Sequence, residues 1–284
     1  MIDSYLAAMQ ATGKSEQTIK TYRSQLQKFM NWLLENSGTT DAKEITSIDA
    51  VEYRTYLQEV RKLKPASINT ALAAIEAFCN WMLEEGYINH RPLAKVRKVE
   101  EVQEPPKWLD KSEKYRLIRT ALNDKSKRNR AIIFTLLLAG LRVSELVSLT
   151  PDDIIISERK GSITVIGKGN KRRTVPMPKD LRECLSDYLV DNAGITWLFG
   201  SQRGEQLTVK GVQHLCASIG GKAGVDGLTP HMLRHTYCHD LVGKGVPIEM
   251  VAKLAGHSKI ETTKIYTQPG EQEMQAAVEK LGFS

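Results

Sequence analysis

Cysteine is scarce in this chain. Its 284 residues hold four, Cys79, Cys184, Cys216 and Cys238, widely scattered and with no Cys-x-x-Cys pair. That distribution, without a secretory context, excludes a disulfide framework and points to buried thiols in a reducing compartment. Long apolar runs are also missing, and none approaches the ~20 residues that span a bilayer. The N-terminal Met1-Ile2-Asp3-Ser4-Tyr5-Leu6 lacks the basic stretch and apolar core of a secretory signal. A cytoplasmic protein with no membrane partner is expected. Internal repeats and low-complexity tracts are absent, which excludes solenoids and arrays. Gly167-Lys168-Gly169 does not have the Gly-x-x-x-x-Gly-Lys-Ser/Thr spacing of a nucleotide-binding P-loop.

What is present is length and positive charge. The chain is long enough for two domains of ordinary size, each with its own core. The net charge is +7 and the isoelectric point about 9.1, a balance that favours a polyanionic partner. Residues 1 to 100 hold 13 Lys and Arg against 12 Asp and Glu, whereas residues 101 to 284 hold 27 against 21. Most of the excess therefore lies in the later part.

Apolar periodicity predicts a mainly α-helical fold. Ser15 precedes a segment in which Ile19, Tyr22, Leu26, Phe29, Met30 and Leu33 recur at helical spacing, with Gly38 after it. A shorter helix is expected over 48–60. Another follows Pro65, with Ile68, Leu72, Ile75, Phe78 and Met82 on one face and Gly86 as its stop. These elements make residues 1–98 a small helical bundle. The polar stretch 99–107, with Pro105-Pro106, reads as a linker to a second domain at 108–284. There Asp110 and Glu113 have capping-box spacing, and Ala131 to Ala139 reads as a buried helix ended by Gly140. Residues 154–157, 162–166 and 173–177 are β-prone, the last two joined by the turn-rich 167–171, so a small antiparallel sheet is expected. Helical patterns resume from Lys179.

The chemistry lies in the second domain. Thr229-Pro230 is an N-cap with a first-turn proline, and it places His231 and Arg234 on one face at a helix N-terminus. Free N–H groups and the dipole favour an anion there. Arg142 follows the Gly140 break, with Glu145 three positions on, where it can orient the guanidinium. Two arginines offer forked hydrogen bonds to phosphate oxygens that lysine cannot copy. Ser258 and Glu261 suggest a second capping box, opening a short helix that carries Tyr266, with His257 just before it. Ionising a phenol of pKa ~10 at neutral pH costs about 4 kcal/mol, which nearby cations are expected to offset. Lys168 sits between glycines in the hairpin turn, where a mobile ammonium can protonate a leaving oxygen; Lys171 lies in the same loop. Two guanidinium groups, two imidazoles and a phenol suit the holding of a phosphodiester while a tyrosine oxygen attacks it.

The set resembles the active site of the tyrosine recombinases, also called phage-type integrases. The resemblance rests on Leu141-Arg142-Val143-Ser144-Glu145-Leu146, Ile166-Gly167-Lys168-Gly169-Asn170-Lys171-Arg172, His231-Met232-Leu233-Arg234-His235-Thr236, Leu254-Ala255-Gly256-His257-Ser258 and Thr262-Thr263-Lys264-Ile265-Tyr266-Thr267. Each is common alone; in this order they are specific, and they span nearly the whole chain. The resemblance implies an N-terminal SAM-like core-binding domain and a mostly helical catalytic domain with a small antiparallel sheet. It implies attack by Tyr266 to give a 3′-phosphotyrosyl intermediate and a free 5′ hydroxyl. Arg142 and Arg234 would stabilise the transition state, His231 and His257 would assist, and Lys168 would act as general acid. No cofactor and no metal are implied. The partners implied are a double-stranded DNA recombination site and three further copies, a homotetramer clamped around two sites, with an accessory protein as a further partner. Met274, Ala277, Val278 and Leu281 form a stripe suited to docking on a neighbouring subunit, with packing on its own domain as the alternative.

The compact layout resembles that of Xer-like members, so no arm-site domain is expected. The tail from Gln268 to Met274 looks more like recombinases of transposons and plasmids, so resolution or integration of a mobile element is expected, with Xer-type chromosome-dimer resolution as the alternative. A type IB topoisomerase would share the chemistry without pairing sites. In a different class, Val251 to Gly256 resembles part of a helix-turn-helix, as in a DNA-binding regulator that does not cut. His231, His235 and His239, spaced by four, suggest a metal site along a helix, but no acidic ligand or His-Glu-x-x-His pattern accompanies them; His235 and His239 read as packing or hydrogen-bonding residues.

Overall fold

Capping chemistry sets the helix ends in the first unit, Met1–Glu104. The computed structural model describes residues 1–101, 106–167, 172–192, 194–201, 204–257, 260–266 and 278–279. After α1 (Ile2–Ala11), Ser15 accepts a hydrogen bond from the Thr18 N–H and opens α2 (Glu16–Ser37), which Gly38 closes in the left-handed region. The helix expected over 48–60 is α3 (Ser47–Thr55) followed by a wider turn, Tyr56–Val60, where the Arg61 N–H reaches back five residues to the Tyr56 carbonyl. Pro65 starts α4 (Pro65–Glu84). Leu26, Phe29, Leu33, Ile68, Ile75, Phe78 and Met82 fill the core, and Phe29 meets the Tyr53 ring edge-on at 4.9 Å. Beyond the bundle, Asn69 donates to the Val99 carbonyl and accepts from the Val99 N–H, so this part of the 99–107 segment is tied to α4.

The second unit, Pro105–Ser284, is organised around one apolar helix. Asp110 and Glu113 exchange reciprocal backbone bonds of 2.7 and 3.0 Å at the start of α5 (Lys111–Leu122), as their spacing predicts. Ser126 caps α6 (Lys127–Ala139), whose first residue lies four positions before the apolar run begins at Ala131. Nearly every side chain from Ala131 to Ala139 is buried, because α6 packs against α5, α8 (Lys179–Val190), α9 (Val209–Ala223) and α10 (Pro230–Gly243). Between α7 (Val143–Val147) and α8 lies an antiparallel sheet of β1 (Ile154–Ile156), β2 (Gly161–Ile166) and β3 (Arg172–Pro176), in that order. Ile163 stands opposite both Ile154 and Val175, and Ile163, Val165 and Val175 face the core. The chain ends, among described elements, with α11 (Ile248–Ala255) and α12 (Glu261–Lys264). No helix among the described residues is long and apolar enough to cross a membrane.

Gly140 is the joint of this unit. It closes α6 at φ +60°, and a Cβ there would lie 2.1 Å from Cδ1 of Tyr237. Gly140→Ala is expected to lower the stability of the second unit by roughly 2–5 kcal/mol, from the left-handed backbone and the ring clash together. Urea denaturation reads this as a fall in the midpoint of that unit; an unchanged midpoint contradicts it.

Candidate active site

Three arginines come together at the C-terminal end of α11. Arg173 Nε donates to the Leu254 carbonyl at 3.0 Å, Arg234 Nη2 to Ala255 at 2.6 Å and Arg142 Nη2 to Gly256 at 2.5 Å. The last carbonyls of a helix have no intrahelical partner and carry its negative dipole end, so cations belong there. Arg234 also donates through Nη1 to the Gly140 carbonyl at 2.6 Å, tying the ends of α6 and α11 together. Glu145 completes the network. Its Oε1 accepts from Arg142 Nη1 at 2.9 Å, its Oε2 accepts from the Arg142 backbone N–H at 2.7 Å, and Arg173 grips both oxygens at 2.6 and 2.9 Å. Gly256 makes the close approach feasible: it turns the chain at φ +70°, and a Cβ would lie 2.8 Å from the Arg173 guanidinium.

Burial shapes the charges. Arg234 is only 3% exposed, and burial with Arg142 beside it brings it down to about 10, which leaves it cationic at neutral pH. His231 is lowered by burial and by Arg234 and Arg142. His257 is held down at about 4 by burial and the same two arginines; its Nδ1 pairs with Thr263 Oγ1 at 2.8 Å. Both imidazoles are thus neutral at physiological pH. Tyr266 is buried, and burial followed by Cys238 pushes its phenol up, with Arg234 pulling weakly the other way. Cationic offset was expected to favour the phenolate; here burial outweighs it.

Arg142 borders two open clefts. One, of about 460 Å³, runs along the α10 N-terminus and is lined by Arg142, Ser144, Thr229, His231 and Arg234. The other, of about 670 Å³, is lined by Arg142, Arg172, Arg173, Lys253, His257 and Gly167 at the end of β2. Thr229 caps α10 through the Met232 N–H and Pro230 occupies the first turn, as the sequence predicts. Tyr266 lines neither cleft. Lys168, Lys171 and Ser258 lie outside the described residues, as do Met274, Ala277 and Leu281 of the C-terminal stripe. The helix expected to carry Tyr266 starts at Glu261 with Ile260 before it and stops at Lys264, so Tyr266 sits in the turn beyond. Thr262, Thr263 and Ile265 are β-branched and propagate so short a helix poorly.

Each imidazole of the His231, His235, His239 row has a different neighbour. His231 and His235 meet edge-on at 4.4 Å, His235 Nδ1 hydrogen-bonds the Tyr266 hydroxyl, and His239 stacks on Trp108 at 4.3 Å. Among the described residues no cluster of three or more His, Cys, Asp or Glu side chains could hold a metal ion. The sequence reading missed Arg173 as a site residue. The available signal was its parity with Val175 in β3, which turns both side chains to the core face. The Val251 to Gly256 segment, read as part of a helix-turn-helix, contributes the carbonyls that bind the arginines and is built into the site.

Residues 107–273 match the phage integrase family, and residues 1–89 match the phage integrase N-terminal SAM-like domain. The chain is 33% identical over 287 residues to tyrosine recombinase XerD of Pseudomonas putida, covering 97% of this chain and 94% of that protein. It is 29% identical over 276 residues to the TnP I resolvase of Bacillus thuringiensis, covering 94% and 95%. Among solved structures, XerH site-specific recombinase bound to a palindromic difH substrate superposes with a TM-score of 0.77 at 23% identity, covering 92% of this chain and 78% of that one. The Tn1549 transposon integrase in complex with transposon right end DNA superposes with a TM-score of 0.76 at 20% identity, covering 99% and 98%. These two likenesses concern the fold.

Glu145 gives a direct test of the arginine network. Burial raises its carboxyl, but the Arg173 guanidinium and the Arg142 N–H outweigh this and hold it below its ordinary value. Its stabilisation is therefore present above the unfolded carboxylate pKa of about 4.3 and lost as pH falls through the depressed folded value. Glu145→Gln is expected to cost about 3 kcal/mol at pH 7, because Arg173 is left without its countercharge, and the cost should shrink in acid. Equal urea midpoints at pH 7 would contradict the network.

Proposed function

The chain belongs to the phage integrase family, the tyrosine recombinases, and from that premise we propose how its own residues cut and rejoin DNA at a specific site. Tyr266 attacks the scissile phosphorus, the bond to the 5′ oxygen breaks, and a 3′-phosphotyrosyl link forms. Attack by a 5′ hydroxyl of the partner strand reverses the step. The bond energy stays in the phosphotyrosyl link, so no ATP is required. Arg142 and Arg234 bind the non-bridging oxygens in the cleft at the α10 N-terminus, and His231 in the same cleft hydrogen-bonds them. The observation that carries this reading is the Arg142, His231 and Arg234 cleft itself. Its guanidinium groups are fixed by carbonyls before any phosphate arrives, and preorganised donors act where charge develops. His257 faces the neighbouring cleft and orients the substrate there.

Lys168 protonates the leaving 5′ oxygen. Gly167 and Arg172, the described residues flanking its loop, both line the His257 cleft, which supports a lysine of that loop reaching the phosphate. The first unit binds the duplex. A groove of about 440 Å³ there carries Gln25, Lys28 and Asn31 of α2 with Arg61 and Ser67, donors suited to phosphates and base edges. Four protomers pair two sites, and the segment containing the 61% exposed Val278 docks on the next subunit. Resolution or integration of a mobile element is the biological role, supported by the likeness to TnP I resolvase. The identity to XerD favours a second reading, chromosome-dimer resolution.

The test is a nicked duplex bearing the sequence that the protein selects from a random pool, incubated in EDTA and run on a denaturing gel. A covalent adduct is expected from the parent and none from Tyr266→Phe, while Arg142→Lys and Arg234→Lys should each lose at least ~100-fold in cleavage rate. An adduct that survives Tyr266→Phe would refute the assignment. Recombination of plasmids carrying two sites separates the recombinase from a topoisomerase, and comparing element ends with chromosomal sites separates the two roles.

A further inference from the structure

The Tyr266 hydroxyl has a partner that the reaction above leaves without a task. It hydrogen-bonds His235 Nδ1, with ring centroids 5.6 Å apart, and the buried Cys238 thiol flanks the same oxygen. A thiol accepts weakly, so the imidazole is the stronger partner. His235 follows Arg234 directly in α10 and meets the His231 ring edge-on at 4.4 Å. His231 lines the cleft with Arg142 and Arg234, whereas His235 does not. The two imidazoles thus divide: one faces the phosphate cleft, the other faces the nucleophile.

We propose that His235 is a further catalytic residue, whose Nδ1 takes the phenolic proton of Tyr266 as its oxygen attacks phosphorus and returns it when the strands are rejoined. The proposal rests on Tyr266 being the nucleophile. In the forward step the Oη–H bond breaks as the Oη–P bond forms; the P–O5′ bond breaks and the lysine of the hairpin loop protonates the departing oxygen. In the reverse step the incoming 5′ hydroxyl gives its proton to that lysine, and the His235 imidazolium gives its proton to the departing phenolate. No oxidant, metal or further reactant enters the balance.

Geometry and charge agree with the role. A general base must lie within hydrogen-bond reach of the proton it removes, and His235 already does. The groups facing it are His231 and Arg234 from its own helix, His257 after α11 and Tyr266 after α12, with Cys238 against the same phenol. Burial, then His231 and Arg234, hold it at about 4, so it is neutral and its Nδ1 lone pair is open to the phenol when the ring proton sits on Nε2. A base that weak gains strength from the substrate itself. A phosphodiester anion against Arg142 and Arg234 offsets the cationic influence on His235 and raises its affinity for a proton. The base is thereby strongest when DNA occupies the cleft.

The experiment is single-turnover cleavage of the selected nicked duplex by the whole protein, with either an ordinary phosphodiester or a 5′-bridging phosphorothiolate at the scissile position. The thiolate leaves without protonation, so it restores variants that lack the acid but not those that lack the acceptor. His235→Asn keeps an acceptor oxygen near the Nδ1 position yet takes no proton at neutral pH. It is expected to bind the duplex as the parent does and to cleave both linkages ~100-fold more slowly, and the acid limb of the parent rate–pH profile should vanish. Added imidazole should restore part of the activity of His235→Ala. Cleavage by His235→Asn at the parent rate, full restoration by the phosphorothiolate, or a loss of DNA binding that matches the loss of cleavage without imidazole rescue would each overturn the proposal. A parent that forms no Tyr266 adduct overturns the underlying reading as well, whereas an active parent with an equally active His235→Asn overturns the proton acceptor alone.

Discussion

Three successive carbonyls at the end of α11, those of Leu254, Ala255 and Gly256, each hold one arginine, and the rest of the site follows from that arrangement. A buried guanidinium is costly unless its donors are met. Charge-assisted bonds of roughly 1.5–3 kcal/mol each, to groups that a helix end leaves free in any case, offset that cost. Arg234 bridges the ends of α6 and α11, so the most buried cation among the described residues also joins the hydrophobic core to α11. Glu145 links the other two arginines, which fixes Arg142 from both its backbone and its side chain.

This wiring separates the parts that are ready from the part that is not. Arg142 and Arg234, proposed to bind the phosphate, are held in place by carbonyls, and Arg142 keeps an exposed edge on both clefts. The phenol lies buried beside His235 and Cys238, lining neither cleft, with its acidity weakened. A phenol in that state is kept away from a phosphate that enters either cleft. On the proposed mechanism Tyr266 must turn toward phosphorus with its hydroxyl still within reach of His235 Nδ1, and its place in the turn after the four-residue α12 leaves only a short, weakly propagated helix to rearrange.

Much of the fold was legible because its boundaries have local causes. Ser15, Asp110, Thr229 and Pro230 open helices by hydrogen bonds or ring geometry that the sequence states outright, and Gly38 and Gly140 close them in the left-handed region. Glu145 was legible as a partner of Arg142 because three positions in a helix bring side chains together. Arg173 was not, since its partner is 28 positions away on α7 and only the folded unit brings that helix beside β3. His235 was read as a hydrogen-bonding residue, but the sequence does not say that its partner is Tyr266, 31 positions on. The wider turn at Tyr56–Val60 and the early end of α12 were also hidden, because apolar periodicity reports a helix face and says little about how the last turn closes.

On this account the carbonyl-bound arginines are set before DNA arrives and stay set during the reaction. A crystal structure of the covalent complex between Tyr266 and a nicked duplex tests it most directly. The expected result is that Arg173, Arg234 and Arg142 keep their bonds to the carbonyls of Leu254, Ala255 and Gly256, while the remaining donors of Arg142 and Arg234 hold the phosphate and Tyr266 alone has moved. Guanidinium groups that have left those carbonyls to reach the phosphate would contradict it.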